Sequence, residues 1–330
     1  MKYCRFVIVL CGALVSSQSG NAQDLSEQLF KLAGLNAKNY VSPILTGWSA
    51  DLNSGFYHSA DLHDLLGFDV QLKFSAAQVL DEDKKYQFQM PSTITYTLAP
   101  GITRTFTAGT DYPAQVTTPT AVGDKNEVIV KSFNNANTGG DRELFRLPGG
   151  FDIPYTPLPV PQAALGLPFG LEVIGRFIPT TAVGDVGKVN FLGFGVRHDL
   201  DQYIPVPLPI DIAVHFMTQK FNFKDKDDNN LISSSATAYG IEASARAAIF
   251  TLYGGFQVES ASFTVGPYTA NFTEGTQTKS VRVDEFTVDG KNSSRFHAGL
   301  RLVLLIINVH ADYSFADTPV ITAGVGITLR

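Results

Sequence analysis

From Phe68 onward the chain alternates in twos. Phe68, Val70, Leu72, Phe74 and Ala76 hold one parity, with Asp69, Gln71, Lys73 and Ser75 between them. The pattern returns in Ile210, Ile212, Val214 and Phe216 against Asp211, Ala213, His215 and Met217. It recurs in Tyr239, Ile241, Ala243 and Ala245 against Gly240, Glu242, Ser244 and Arg246, and again in Ile321 to Leu329. Successive strand side chains point to opposite faces, so each segment reads as a strand with one apolar and one polar face. After the amino terminus no apolar run approaches the ~18 residues of a spanning helix. The most apolar stretch, Leu302 to Val309, already contains Asn308.

Two architectures satisfy this pattern. A soluble β-sandwich turns the apolar face inward, whereas an outer-membrane barrel turns it out to lipid and lines its interior with the polar face. Periodicity alone does not say which way is in. Three features favour the barrel: small and oppositely charged residues in phase on the polar faces (Glu242, Arg246), aromatics towards strand ends (Phe68, Tyr239, Phe250, Tyr313, Phe315), and a last alternating segment that reaches Leu329. The expected fold is therefore all-β, an antiparallel transmembrane barrel of about twelve strands, within roughly ten to fourteen. The candidate strands lie near 68–80, 86–98, 127–134, 171–179, 189–198, 210–222, 236–247, 249–264, 278–288, 295–305, 307–315 and 320–329.

The amino terminus reads as a secretory signal. Lys2 and Arg5 precede an apolar core from Phe6 to Val15, and Gly20-Asn21-Ala22 supplies the small residues of a cleavage site after Ala22. Its removal takes away two positive charges, moving the formal net charge from −6 to −8, and both cysteines, Cys4 and Cys11. No disulfide scaffold and no cysteine chemistry is then expected. Acidic net charge without a basic cluster excludes a nucleic-acid partner. Residues 23–66 are expected to form a short amino-terminal helix (24–40, with Leu25, Leu29, Leu32 and Leu35 at helical spacing) and a plug-like segment, and 67–330 the barrel. Within the latter, 91–170 is rich in Thr, Pro and Gly, so loops or an inserted plug are expected there.

The chemical motifs are sparse. His58 and His63 flank Asp61, with Asp64 adjacent, but their spacing suits a hydrogen-bonded polar loop better than a zinc site. Residues 223–230 resemble the start of a calcium loop, yet Asn230 stands at the turn position and Ala236 at the twelfth, so a solvated hairpin loop is expected. His198-Asp199 has no G-x-S-x-G elbow beside it, and no phosphate loop occurs. No cofactor, metal or enzymatic activity is expected. Glu242 and Arg246 lie about 13 Å apart along one strand at ~3.3 Å per residue, and read as lumen charges seeking partners on neighbouring strands. His215 and Asp211 share such a polar face.

Leu52-Asn53-Ser54-Gly55-Phe56-Tyr57-His58-Ser59-Ala60, followed by Leu66-Gly67-Phe68-Asp69, resembles the start of an uncharacterised exported, barrel-like bacterial family of unknown function. Leu165 to Pro168 with Arg176 to Pro179, and Gly193 to Asp199 with Tyr203 to Pro205, are similar to its later motifs. Asp61-Leu62-His63 stands where related sequences carry Lys-Pro-His. The resemblance implies export and a barrel but no activity, and adds Asn53, Tyr57, Arg176 and His198 to the lumen candidates. At the level of architecture the chain is also similar to the long-chain fatty-acid transporter barrels. The expected role is passive passage or binding of a small apolar molecule across the outer membrane, with lipid as partner. The alternatives are a surface-interaction barrel with a closed lumen, or a soluble secreted β-sandwich.

Overall fold

The computed structural model describes residues 23–99, 102–183, 187–205, 209–225, 228–274 and 277–329. The expected signal peptide, 1–22, lies outside the described residues. These form a helix, α1 (Gln23–Leu52), and nineteen strands. β1 (Phe68–Gln78) is followed by six short strands: β2 (Lys85–Gln89), β3 (Thr93–Ala99), β4 (Ile102–Thr107), β5 (Gln115–Pro119), β6 (Val128–Lys131) and β7 (Glu143–Leu147). Six long ones come next: β8 (Tyr155–Leu167), β9 (Leu171–Val183), β10 (Gly187–Asp199), β11 (Asp211–Lys224), β12 (Asn230–Ala247) and β13 (Phe250–Val265). β14 (Tyr268–Glu274), β15 (Gln277–Val283) and β16 (Phe286–Asp289) lead to β17 (Ser294–Leu304), β18 (Ile307–Phe315) and β19 (Val320–Leu329).

The sheet closes. β1, β8, β9, β10, β11, β12, β13, β17, β18 and β19 follow one another by antiparallel pairing, β1 meets β19, and β12 meets β13, giving ten strands in a ring, with β16 as an extra strand on β13. Closure removes the unpaired edges that an open sheet would present. The shortest ring strand has nine residues, within the ~9–11 of a tilted membrane strand.

Burial decides the direction that periodicity left open. On β1 Asp69, Gln71, Lys73 and Ser75 are buried, while Phe68, Val70, Leu72 and Phe74 face out, Val70 at 55% exposure against 1% for Lys73. The same inversion holds for Phe194, Phe216, Tyr239, Leu252, Leu300 and Val325, all exposed, beside buried Arg197, His215, Glu242, Thr251, Arg301 and Thr322. A monomer in water rarely shows an apolar patch of more than a few hundred Å²; here the apolar face runs around the wall. The polar face is the interior.

The expectation of about twelve barrel strands is corrected to ten plus one. Segments 86–98 and 127–134 form short sheets outside the ring, β2–β5, β3–β4 and β6–β7, and 278–288 falls on β15 and β16. Conversely β8 was hidden in the 91–170 stretch by Pro157, Pro159 and Pro161. These prolines alternate, so their missing N–H groups fall on one edge of the strand. β9 pairs only with Gln162–Leu167, so the proline-bearing half pairs along β1 alone and its other edge needs no donor.

The chain divides into two compact units. The barrel unit comprises 45–79, 155–265 and 287–330; the other holds the described parts of 1–44, 80–154 and 266–286. That second unit has its own apolar core, with Phe88, Met90, Ile94, Phe106, Tyr112, Val130 and Phe145 packed together. Within it Asn36 exchanges hydrogen bonds with the backbone of Gln89, and the Tyr40 hydroxyl donates to the Gly149 carbonyl at 2.9 Å. Burial alone would raise the Asp111 carboxyl, but hydrogen bonds from the Thr107 N–H and the Asn135 and Asn137 amides hold it below the usual range. This contribution is present at neutral pH and is lost as acid protonates the carboxylate.

Phe194→Lys, which aims a charge outward near the middle of β10, is expected to cost about 2–4 kcal/mol of folding free energy. Urea titration in lipid vesicles reads it; an unchanged midpoint would contradict a lipid-facing wall.

Candidate functional site

The interior is filled by the chain's own segment. α1 runs to Leu52, past Pro43 and beyond the expected end near residue 40. Its last turn contains no basic residue, so its terminal carbonyls, the negative end of the helix dipole, require partners from elsewhere. The wall supplies them. Arg295 donates to the Ala50 carbonyl at 2.8 Å, Arg176 and Gln219 to that of Leu52 at 3.1 and 2.6 Å, and Arg176 to that of Ser54 at 2.8 Å.

The following residues are held in the same way. Gln257 donates to the Asn53 carbonyl at 2.8 Å, Lys73 to Gly55 at 2.5 Å, Gln162 to Phe56 at 2.9 Å, and Arg197 to Ser59. Seven strands, β1, β8, β9, β10, β11, β13 and β17, thus each aim a donor at the threaded backbone. On β12 the Ser244 hydroxyl accepts from the Ala60 N–H at 3.0 Å, and on β19 Thr328 meets His63 at 3.0 Å. Gly55, at φ +66°, turns the chain off the helix.

The thread has a direction. Asp51 accepts from Thr156 at the start of β8, at the rim from which the long connections 79–154 and 266–293 leave. The segment ends at the opposite rim, where Leu66 N–H donates to the Gly166 carbonyl. That second rim carries the short turns β8–β9, β12–β13 and β17–β18.

Around the thread the wall is ionic. Arg197 bridges Glu172 and Glu242, each at 2.6 Å, and His63 Nδ1 lies 2.6 Å from Glu172. Arg295 binds Glu259 through two nitrogens at 2.6 and 2.7 Å. His58 pairs with Asp69 at 2.8 Å, and Tyr253 donates to Asp312 at 2.9 Å. Tyr57 stands among His215, His297, Tyr253 and the Arg197 guanidinium. A Cβ on Gly255 would fall 2.1 Å from its hydroxyl, so glycine is required there.

Six of the eight expected candidates come into this interior. Glu242, His215, Tyr57, Asn53 and Arg176 are buried, and His215 lies 3.6 Å from Glu242. Asp211 is half-buried and accepts from Ser244. The other two are corrected. Arg246 has the right parity but sits at the strand end, exposed, donating to the Ala248 carbonyl. His198 has the outward parity and meets Tyr203 instead; Arg197 beside it is the interior residue. Phase with Gly193 and Gly195, opposite to Phe194, carried that information. Lys73, Glu172, Arg295 and Glu259 were not singled out, although Lys73 stood on the polar face of β1.

His58 and His63 bind different carboxylates, and among the described residues no three His, Cys, Asp or Glu side chains are placed to hold a metal ion. In the 223–230 loop Asp225 accepts from the Asn229 N–H and amide, while Lys226 and Asp227 lie outside the described residues.

Fold and interior together define an antiparallel barrel with an apolar exterior and a polar lumen threaded by its own chain. The chain belongs to the family of unknown function DUF6588, whose model matches residues 1–329. No curated protein matches it. Among solved structures it is similar to the β domain of the Bordetella autotransporter BrkA, at 9% identity over 80% of this chain and 100% of that one, TM-score 0.32. It is similar to the translocator domain of the autotransporter NalP from Neisseria meningitidis, at 8% identity over 100% of both chains, TM-score 0.28. A third is the outer membrane protease OmpT from Escherichia coli, at 9% identity over 82% and 100%, TM-score 0.30.

Arg176→Ala removes four hydrogen bonds, uncaps the Ser54 carbonyl and leaves that of Leu52 to Gln219 alone. A loss of at least ~2 kcal/mol is expected in urea titration of the vesicle-embedded protein. Lys188→Ala, at a half-exposed ion pair with Asp228, should stay within about 0.5 kcal/mol.

Proposed function

We propose that this protein is an integral outer-membrane β-barrel whose lumen is sealed by residues 50–67, and which serves as a scaffold for surface interaction through its long connections. The observation that carries this reading is the thread itself, gripped from seven strands along the barrel interior. Outer-membrane barrels turn short connections to the periplasm and long ones outward. By that rule the rim at which Asp51 meets Thr156 faces the cell exterior, and the rim of Leu66 and Gly166 faces the periplasm.

Passage of a small apolar molecule finds little chemical support in the lumen. The inward wall is Asp69, Gln71, Lys73, Glu172, Arg176 and their kind, which an apolar solute would have to desolvate or displace.

In planar bilayers the native protein is expected to show no steady conductance, and Arg176→Ala combined with Arg295→Ala to admit current. A steady native current would overturn the seal. Sidedness is read with a maleimide too large for porins, since the chain's only cysteines are Cys4 and Cys11. On intact cells Asp317→Cys, exposed in the turn between β18 and β19, is expected to label, and Gln202→Cys only after the outer membrane is permeabilised. The reverse order would invert the orientation.

A further inference from the structure

The short-turn rim carries backbone strain in an unusual place. Six non-glycine residues among the described ones have positive φ: Leu66, Asp152, Phe169, Asp228, Ala248 and Leu305. Asp152 and Asp228 belong to connections of the long-connection rim, and aspartate enters this region cheaply. Leu66, Phe169, Ala248 and Leu305 all lie at the other rim, each at or beside a turn apex. In the two-residue turns Ala248-Ile249 and Leu305-Ile306 the first position is the one that glycine ordinarily takes in the type with positive φ there alone. Positive φ crowds the Cβ of an L-residue, so four apolar residues accept strain that Gly or Asn would avoid.

What the strain accompanies is exposed hydrocarbon. Leu305 is 98% and Phe169 84% exposed, and Leu66, Ile249 and Ile306 are exposed as well. Neighbouring apices are joined through the backbone: Leu66 N–H to Gly166, Val303 N–H to Ile249 and Thr328 N–H to Ile306. They form a crown fixed to the wall rather than a set of free loops. Directly behind it the outward residues Leu165, Phe250, Leu304, Ile307 and Leu329 are also apolar and exposed, so the crown adjoins the apolar outer wall. At the same rim the carboxylates Asp199, Asp201 and Asp211 are half-buried, while Asp64, Gln202 and Arg246 are exposed beside the apices, polar groups that an interfacial seat leaves at headgroup level.

We propose that this crown is a membrane anchor, seated in lipid at the headgroup–acyl boundary of the leaflet next to the short-turn rim. Continuity with the apolar wall selects lipid over a protein partner, and the inference rests on the barrel reading above. Amphipathic elements in that boundary bury their apolar side by about 5–10 Å.

Tryptophan quenching tests it. In a Trp48→Phe background, single tryptophans are introduced by Phe194→Trp on the mid-wall and by Leu305→Trp and Phe169→Trp on the crown. The full chain is refolded into phosphatidylcholine vesicles with brominated acyl chains, and folding of each variant is checked by heat-modifiable migration. The expected result is loss of most of the fluorescence at all three positions, with the crown quenched best by bromines nearest the headgroup and untouched by aqueous iodide. Quenching at Phe194→Trp alone, with both crown positions open to iodide, overturns the anchor and leaves the barrel. Blue-shifted crown emission that neither quencher reaches signifies a protein partner, such as a second copy, and also overturns it. An unquenched Phe194→Trp in folded protein overturns the barrel reading itself.

Discussion

Arg176 is the contact on which the interior turns. It is fully buried and directs its donors to neutral oxygens, those of Leu52, Ser54, Gln162 and Gln219, with the Phe56 ring 4.6 Å away. A buried cation needs compensating negative potential, and here the C-terminal end of α1 provides it. The relation is reciprocal. The helix end has no basic residue of its own and could not be buried without the wall's guanidinium groups, and Arg176 could not be buried without the helix end.

That reciprocity explains why polar residues can fill the centre of this fold. A closed sheet facing lipid has only its lumen in which to place polar side chains. A ten-stranded ring is slightly wider than the eight-stranded barrel whose side chains fill it. The surplus space takes one polypeptide thread, whose carbonyls match a wall of Lys, Arg and Gln donors. Carboxylates then balance the remaining cations, Glu172 and Glu242 on Arg197 and Glu259 on Arg295.

The strands were legible wherever alternation was clean, as in β1 and β19, because lipid demands an apolar side chain at every second position. β8 was not, since its prolines signal a loop unless one knows that β9 leaves that edge unpaired. The sense of the sheet was invisible too, as alternation is the same for a sandwich and a barrel. Site partners were harder still. Glu242 was recognised as an interior charge, but its partner Arg197 lies on β10, across β11, a relation fixed by ring curvature and not by spacing. The quoted family-like segment from Leu52 to Ala60 is the thread itself, whose backbone carbonyls do the binding, and carbonyls leave no mark in a sequence.

Threading also constrains how the structure can form. The thread directly precedes β1, and β1 pairs with β19 to complete the ring. Its donors come from strands spread from β1 to β17, so no partial sheet holds the full set. Conversely Lys73, Arg176 and Arg197 crowd one sector of the ring, on β1, β9 and β10, and without the thread's carbonyls that cluster would be disfavoured by like-charge repulsion and desolvation. Closing the barrel and filling it are therefore coupled: each supplies the electrostatic partner that makes the other affordable.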